Sequence, residues 1–469
     1  MKGYQAMDIA HKLAGHVVNA GYRDIPEDVA RTTKTFILDT IGTIMAGSSD
    51  RCCNEIVKLI QEWGGKEESS ILVFGDRVPS IHAAYVNSMM AHALDFDDTY
   101  GYDLKTNKKD GGHANSSVVP ASLAAAEING RVSGKDFITA VATGVDLMLR
   151  LGFTLKGGRG WTRSAICGVF GAAAAAGYLL NLNEREMFNA FGIAYSQASG
   201  NQQAIIDKAL VKRMQPAVAA KSGLFSVLLA QRGVTGAEDI FQGKFGFFNL
   251  YSAGEYDLDP LLVDLGKKYE GANLGIKPYP CGRLIHPAIG GALELLSDNA
   301  VTAEEIKEVV VRVPERTFYL VGAPFEIKDD LGVRVQFSIP YGVSVAIVRR
   351  QVSMEDFLDE ARMRDPRIAE MAGKIKVVVD VDQAIEYSAK LPVTVEVITV
   401  ARGKFVKRVE RIHGDPNDPL SPEEFRRKIT LCARYAARPE LSDRIGEIIE
   451  TTNRLEDVSN VGALISLLT

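Results

Sequence analysis

HGDPNDPLSPEEFRRKITLCARY, residues 413–435, is the stretch that decides the architecture. Before it come runs rich in β-branched residues, VVVRVPE from Val309, KIKVVVD from Lys374 and PVTVEVITV from Pro392, which read as strands. Within the stretch the helical signal returns over 422–435, and it recurs over 442–450. The first 270 residues are also helical in pattern. A C-terminal segment that reverts to the first composition most simply packs back on the first domain, which leaves the strand-rich part as an insertion. The chain therefore reads as mostly α. A large all-helical domain covers 1–270, a smaller inserted α+β lid domain covers 271–410, and the helices of 411–469 return to the first domain. A cleft between two such domains is the expected place for a ligand.

The helical part is legible from its period. Val29, Phe36, Ile37, Ile41 and Ile44 recur at helical spacing after Pro26, with Gly47 as a C-cap. Further helices are predicted over 81–95, 120–127, 133–151, 164–180, 184–198 and 218–231, with Ser133 as an N-cap and Asp136 three residues on. In the inserted part, helices are predicted over 288–296 and 342–349. The longest apolar run, 165–180, is too short for a bilayer and reads as a buried helix, so no membrane partner is expected.

Composition excludes several classes. The chain has 469 residues, 46% of them hydrophobic, with 54 Lys and Arg against 59 Asp and Glu. There is no basic block, so nucleic acid is not an expected partner. The five cysteines are scattered without C-x-x-C spacing, which fits a reducing compartment and neither a disulfide framework nor a zinc site. The opening residues carry no apolar signal core, and the expected location is the cytoplasm.

The chemistry concentrates in MAHALDFDDTYGYDLKTNKKDGGHANSSVVP, residues 90–120. His92, Asp95, Asp97, Asp98, Thr99 and His113 crowd one helix exit. A helix running from residue 81 through Thr99 would carry His92, Asp95 and Thr99 at i, i+3 and i+7 on one face. Such a stripe is costly in a core unless it lines a cavity, although a solvated acidic helix end fits the same residues. His113 stands just before a predicted helix start at Ser116, Ser117 and Pro120, where free amides favour an anion. Residues 100–112 form a long loop with Lys105, Lys108 and Lys109, and with Gly111 and Gly112 as hinges.

Five blocks in order, HALDFDDTY at His92, VKRMQPAVAAKSG at Val211, IKPYPCGRLIHPA at Ile276, FSIPYGVSVA at Phe337 and GDPNDPLSPEEF at Gly414, make the chain resemble the MmgE/PrpD family. That family includes 2-methylcitrate dehydratase, cis-aconitate decarboxylase and iminodisuccinate epimerase. The resemblance implies a homodimer, a helical domain topped by an α+β lid, and no metal or organic cofactor. It places catalytic roles on Asp95, Thr99, His113, Lys212 and the lid tyrosine Tyr341. Substrate carboxylates would be held by Lys277, with Arg163, Arg213, Cys281 and His286 nearby. The implied ligand is a small di- or tricarboxylate. Removing the proton beside a carboxylate needs a base next to cations that stabilise the enediolate. His113 can serve unaided and Asp95 only if burial raises its pKa.

The implied reaction is elimination or addition of water by a metal-independent lyase of the 2-methylcitrate dehydratase type. An epimerase would use the same proton abstraction. A decarboxylase is weakened because Thr162 stands where cis-aconitate decarboxylase has a second histidine, and Arg163 cannot shuttle protons. That missing histidine also leaves room for a catalytically silent binding protein. Asp97 and Asp98 do not complete the D-D-x-x-D motif of magnesium-dependent isoprenoid enzymes.

Overall fold

The computed structural model describes residues 9–100, 112–157, 160–380 and 392–469. It is mostly helical with small sheets, and its buried apolar side chains form two main clusters. The first runs from Ile9 to Leu274 and is rejoined by Ile429, Ala433, Ile448, Leu455 and Leu464 near the C-terminus. The second lies wholly between Cys281 and Val397. Of the expected loop over 100–112, residues 101–111 lie outside the described residues, while Gly112 is described with a left-handed φ of 89°.

The second cluster is built on a four-stranded sheet in the order Ile375–Val379, Ile306–Val313, Val393–Thr399, Lys404–Val409. The first pair is parallel and the others antiparallel. Val393–Thr399 has most residues buried, whereas Lys404–Val409 alternates between exposed and half-buried positions. That edge strand, KFVKRV, carries too few apolar residues to stand out from sequence. Helices His286–Asp298 and Ile339–Arg349 pack with the sheet.

In the first cluster, Glu27–Gly47, Ser80–His92, Asn115–Asn129, Gly134–Thr154, Gly168–Leu179 and Gln215–Ala230 stack through small residues. Ser133 does cap its helix, accepting from the Asp136 amide. Gly134–Thr154 is long and apolar enough to cross a bilayer, but its apolar window is entirely buried in the protein. Gly47 is not a C-cap. It lies inside its helix, and a Cβ there would stand 2.0 Å from the Met90 carbonyl, so the absent side chain lets this helix touch Ser80–His92.

The predicted start at Pro120 is also corrected, because the helix begins at Asn115 and contains the proline. Pro120 has no N–H for the Ser116 carbonyl one turn back. The Ser88 hydroxyl supplies the missing donor at 2.6 Å. A neighbouring helix thus repairs the break that sequence alone predicts.

Candidate active site

Helix Ser80–His92 stops three residues short of the first aspartate. Its exit tightens through Ala93 N to Met90 O and Asp95 N to His92 O, and Asp95 then turns left-handed at φ 49°. Aspartate tolerates that region better than most residues. The single helical face predicted for His92, Asp95 and Thr99 therefore does not exist. The turn instead folds Asp95 and Asp97 back towards His92, and Thr99 leaves in a two-residue strand paired with Gly275. Through that pairing, the backbone two residues before Lys277 is tied to the aspartate segment.

The convergence is tight and buried. Lys212 Nζ donates to Asp95 Oδ1 at 2.8 Å and to His92 Nε2 at 2.9 Å. Lys277 Nζ lies 3.2 Å from the same Oδ1 and donates to the Asp95 carbonyl at 2.6 Å. His92 Nδ1 meets Asp97 Oδ2 at 2.8 Å. The imidazole of His113 stands edge-on to His92 with ring centres 4.9 Å apart, and its side chain is 21% exposed. Lys212 also sits 4.7 Å over the Phe337 ring, so the second cluster closes one wall.

Partners fix both tautomers. A carboxylate only accepts, so His92 carries its proton on Nδ1 towards Asp97 and offers Nε2 to the Lys212 ammonium. His113 Nδ1 lies 2.5 Å from the Asp98 carbonyl, which likewise only accepts. Its Nε2 is therefore the unprotonated nitrogen, 3.8 Å from Asp95 Oδ1. Burial lowers His113 to about 4 against the pull of Asp97, so this imidazole is neutral at pH 7.

The carboxylates divide into distinct roles. Burial alone would raise Asp95, but Lys212, Lys277 and the two histidines outweigh it and hold the carboxyl well below its usual range. Asp95 is thus a counter-charge for two ammoniums, and the condition under which it could act as base is not met. Asp97 is likewise held low by His92 and His113 despite burial. Asp98 accepts from the amides of Ala114 and Asn115 at 3.0 Å each. The anion expected at that helix start is therefore the protein's own carboxylate. Burial and Asp97 push Asp98 up to about 7 against those amides.

His92, Asp95, Asp97 and His113 present ligand atoms within 4.8 Å of one another, a donor set that suits a cation. The Lys212 ammonium already bonds two of the four donors. Lysine here supplies the positive charge that a metal ion would bring.

Other expected residues go elsewhere. The Tyr341 hydroxyl donates to the Asp356 carbonyl, and its ring packs against Phe325 and Phe357 inside the second cluster. Arg213 pairs with Asp50 at 2.5 Å, and Arg163 donates to the Leu155 carbonyl at 3.0 Å. Cys281 is fully buried with its thiol pushed far up, and its carbonyl accepts from His286 Nε2 at 3.1 Å. Burial and Lys277 lower His286 to about 3, which leaves it a neutral neighbour of the lysine. His92 and Asp97, given no role by the resemblance, occupy the centre. Their five-residue spacing signals nothing until the turn at Asp95 brings them together.

The MmgE/PrpD N-terminal domain model matches residues 11–259 and the MmgE/PrpD C-terminal domain model matches residues 279–454. The chain belongs to the MmgE/PrpD family. Among its MmgE/PrpD relatives is the cis-aconitate decarboxylase-like protein oryM of Aspergillus oryzae, 27% identical over 98% of this chain and 97% of that protein. Cis-aconitate decarboxylase of Aspergillus terreus is 27% identical over 76% of this chain and 75% of its own length. The enzyme of that name from Homo sapiens is 24% identical over 97% and 92% respectively.

Proposed function

We propose that this MmgE/PrpD protein is a lyase that removes the proton α to a carboxylate of a small di- or tricarboxylate, with loss of water. The observation that carries the reading is the unprotonated Nε2 of His113 beside two buried ammoniums. His113 Nε2 takes the α-proton, and the C–H electron pair passes into the carboxylate as an enediolate, then returns to form the new C=C π bond. Hydroxide leaves with the C–O pair. Lys212, whose pKa burial lowers, protonates it to water. Lys277 stabilises the enediolate oxygen, a charge-assisted contact in a site with little water. Asp95 keeps both lysines charged and aimed.

The test uses purified protein with hydroxylated di- and tricarboxylates, monitored for alkene formation. Lys277→Met leaves Asp95 paired with Lys212, so folding should survive while kcat/KM falls by about 2–5 kcal/mol of transition-state binding. His113→Gln should bind substrate yet lose about 10²–10⁴-fold in turnover. Wild-type kinetics in either variant would sink this assignment.

A carboxy-lyase is the second reading, favoured by the names of relatives that match nearly the whole chain. Release of carbon dioxide from an unsaturated tricarboxylate, with no loss of water from a hydroxylated one, would select it. A homodimer and a cytoplasmic location belong to the same reading, to be tested by light scattering and cell fractionation.

A further inference from the structure

Three carbonyls of the turn after His92 are held by side chains from three distant parts of the chain. Gln336 Nε2 donates to Ala93 O at 3.1 Å, Lys277 Nζ to Asp95 O at 2.6 Å and Lys428 Nζ to Phe96 O at 2.8 Å. Carbonyls just past a helix end have no helical donor, and buried ones need a partner. Two of the donors come from segments already flanking the site. The third comes from helix Pro422–Arg434, on the C-terminal return.

Lys428 is 5% exposed and, among the described residues, pairs with Asp39 and Phe96 and with no reacting group. Its ammonium lies 2.7 Å from Asp39 Oδ1 and 4.0 Å from the centre of the Phe96 ring. Phe96 separates Asp95 from Asp97, so a donor on its carbonyl fixes the peptide between the two carboxylates. The left-handed Asp95 backbone persists only when its surroundings over-determine it. Asp39 is fully buried on helix Glu27–Gly47 and balances the lysine. The pair thus brings a donor to the turn without adding net charge beside Lys212 and Lys277.

We propose that Lys428, neutralised by Asp39, is a positioning residue that aims Asp95 and Asp97, and through them Lys212 and His92, so that the return helix completes the active site. This rests on the lyase reading of that site. Lys428→Met keeps apolar volume and removes the donor, but it strands the Asp39 charge. Asp39→Asn/Lys428→Met removes both charges, while Asp39→Asn alone leaves the lysine on the Phe96 carbonyl.

The full-length variants are compared by thermal unfolding, by kcat and KM on the carboxylate the wild type turns over, and by the ring ¹⁵N shifts of His92. The double variant should unfold within about 4 °C of wild type. Its kcat should still fall about 10–100-fold, with KM within about threefold, and the His92 signals should move. Asp39→Asn keeps the donor on Phe96 but leaves the lysine uncompensated, so it should lower kcat less than the double variant does. Wild-type kcat and unmoved His92 signals in the double variant would reduce the pair to a structural one, as would an equal kcat loss in Asp39→Asn. If wild type turns over no carboxylate, the lyase reading fails, and the His92 shifts alone then decide whether Lys428 positions the turn.

Discussion

Asp95 Oδ1 receives two lysine ammoniums within 3.2 Å, and the substitution that matters most at this scale removes that charge. Asp95→Asn leaves Lys212 and Lys277 buried without their counter-ion. Breaking a buried pair in this way costs about 3–5 kcal/mol, because the remaining charge has lost its compensation. A substrate carboxylate brings the missing charge. The variant should therefore unfold at lower temperature than wild type, and a saturating di- or tricarboxylate should raise its midpoint more than it raises the wild type's. Thermal shift with and without ligand checks this. A ligand shift smaller in the variant would show that Asp95 does not stand in for substrate charge.

Helices meet in this protein through absences, at Gly47 where a Cβ would collide with Met90 O and at Pro120 where an N–H is missing. Ser88 on Ser80–His92 fills the second gap, so the helix bearing His92 and the helix following His113 are joined by one hydroxyl. Ser88→Ala leaves a buried carbonyl without its donor and should cost about 1–3 kcal/mol in denaturant unfolding. Since the slope of that transition reports exposed surface, it should stay unchanged while the midpoint falls. A neutral result would mean that Ser116 finds another donor. From sequence, Pro120 reads as a helix start because the rescuing hydroxyl is 28 residues away from the carbonyl it serves.

Across the whole molecule, histidines that burial keeps neutral contribute to the response to acid. His16 and His113 are lowered to about 4 and His286 to about 3, each chiefly by burial, from 6.5 in the unfolded chain. Between those values the unfolded state binds more protons at these three groups than the folded one, so their contribution to stability rises with pH. The stabilisation is complete above pH 6.5 and is lost as pH falls towards 4 and 3. Asp98, raised to about 7, and Asp146, raised to about 6, hold protons more readily when folded and oppose this, so unfolding midpoints should fall only gently below pH 6.5. His16→Gln, remote from the proposed chemistry, should flatten the slope without altering turnover. An unchanged slope in that variant would show that His16 is not protonated on unfolding in this range.

Sequence alone determined the helical period, the three long β-branched strands, the return to helix after residue 421 and the set of charged residues at the exit of Ser80–His92. These follow from local spacing and residue type, which neighbours in the chain report directly. It also gave the family blocks, but not the roles within them: Tyr341 and Arg213 lie in such blocks and bond to Asp356 and Asp50. Tertiary structure alone decided that His92 and Asp97 form a pair, that His113 presents Nε2, and that Asp95 is ionised. The first two depend on a turn that brings near neighbours together, and that turn is held from afar by Lys428, 332 residues from Phe96; the third depends on Lys212, 117 residues from Asp95, and Lys277, 182 residues from it. A tautomer or a depressed pKa is set by what a group touches after folding, and no spacing in the sequence encodes that contact.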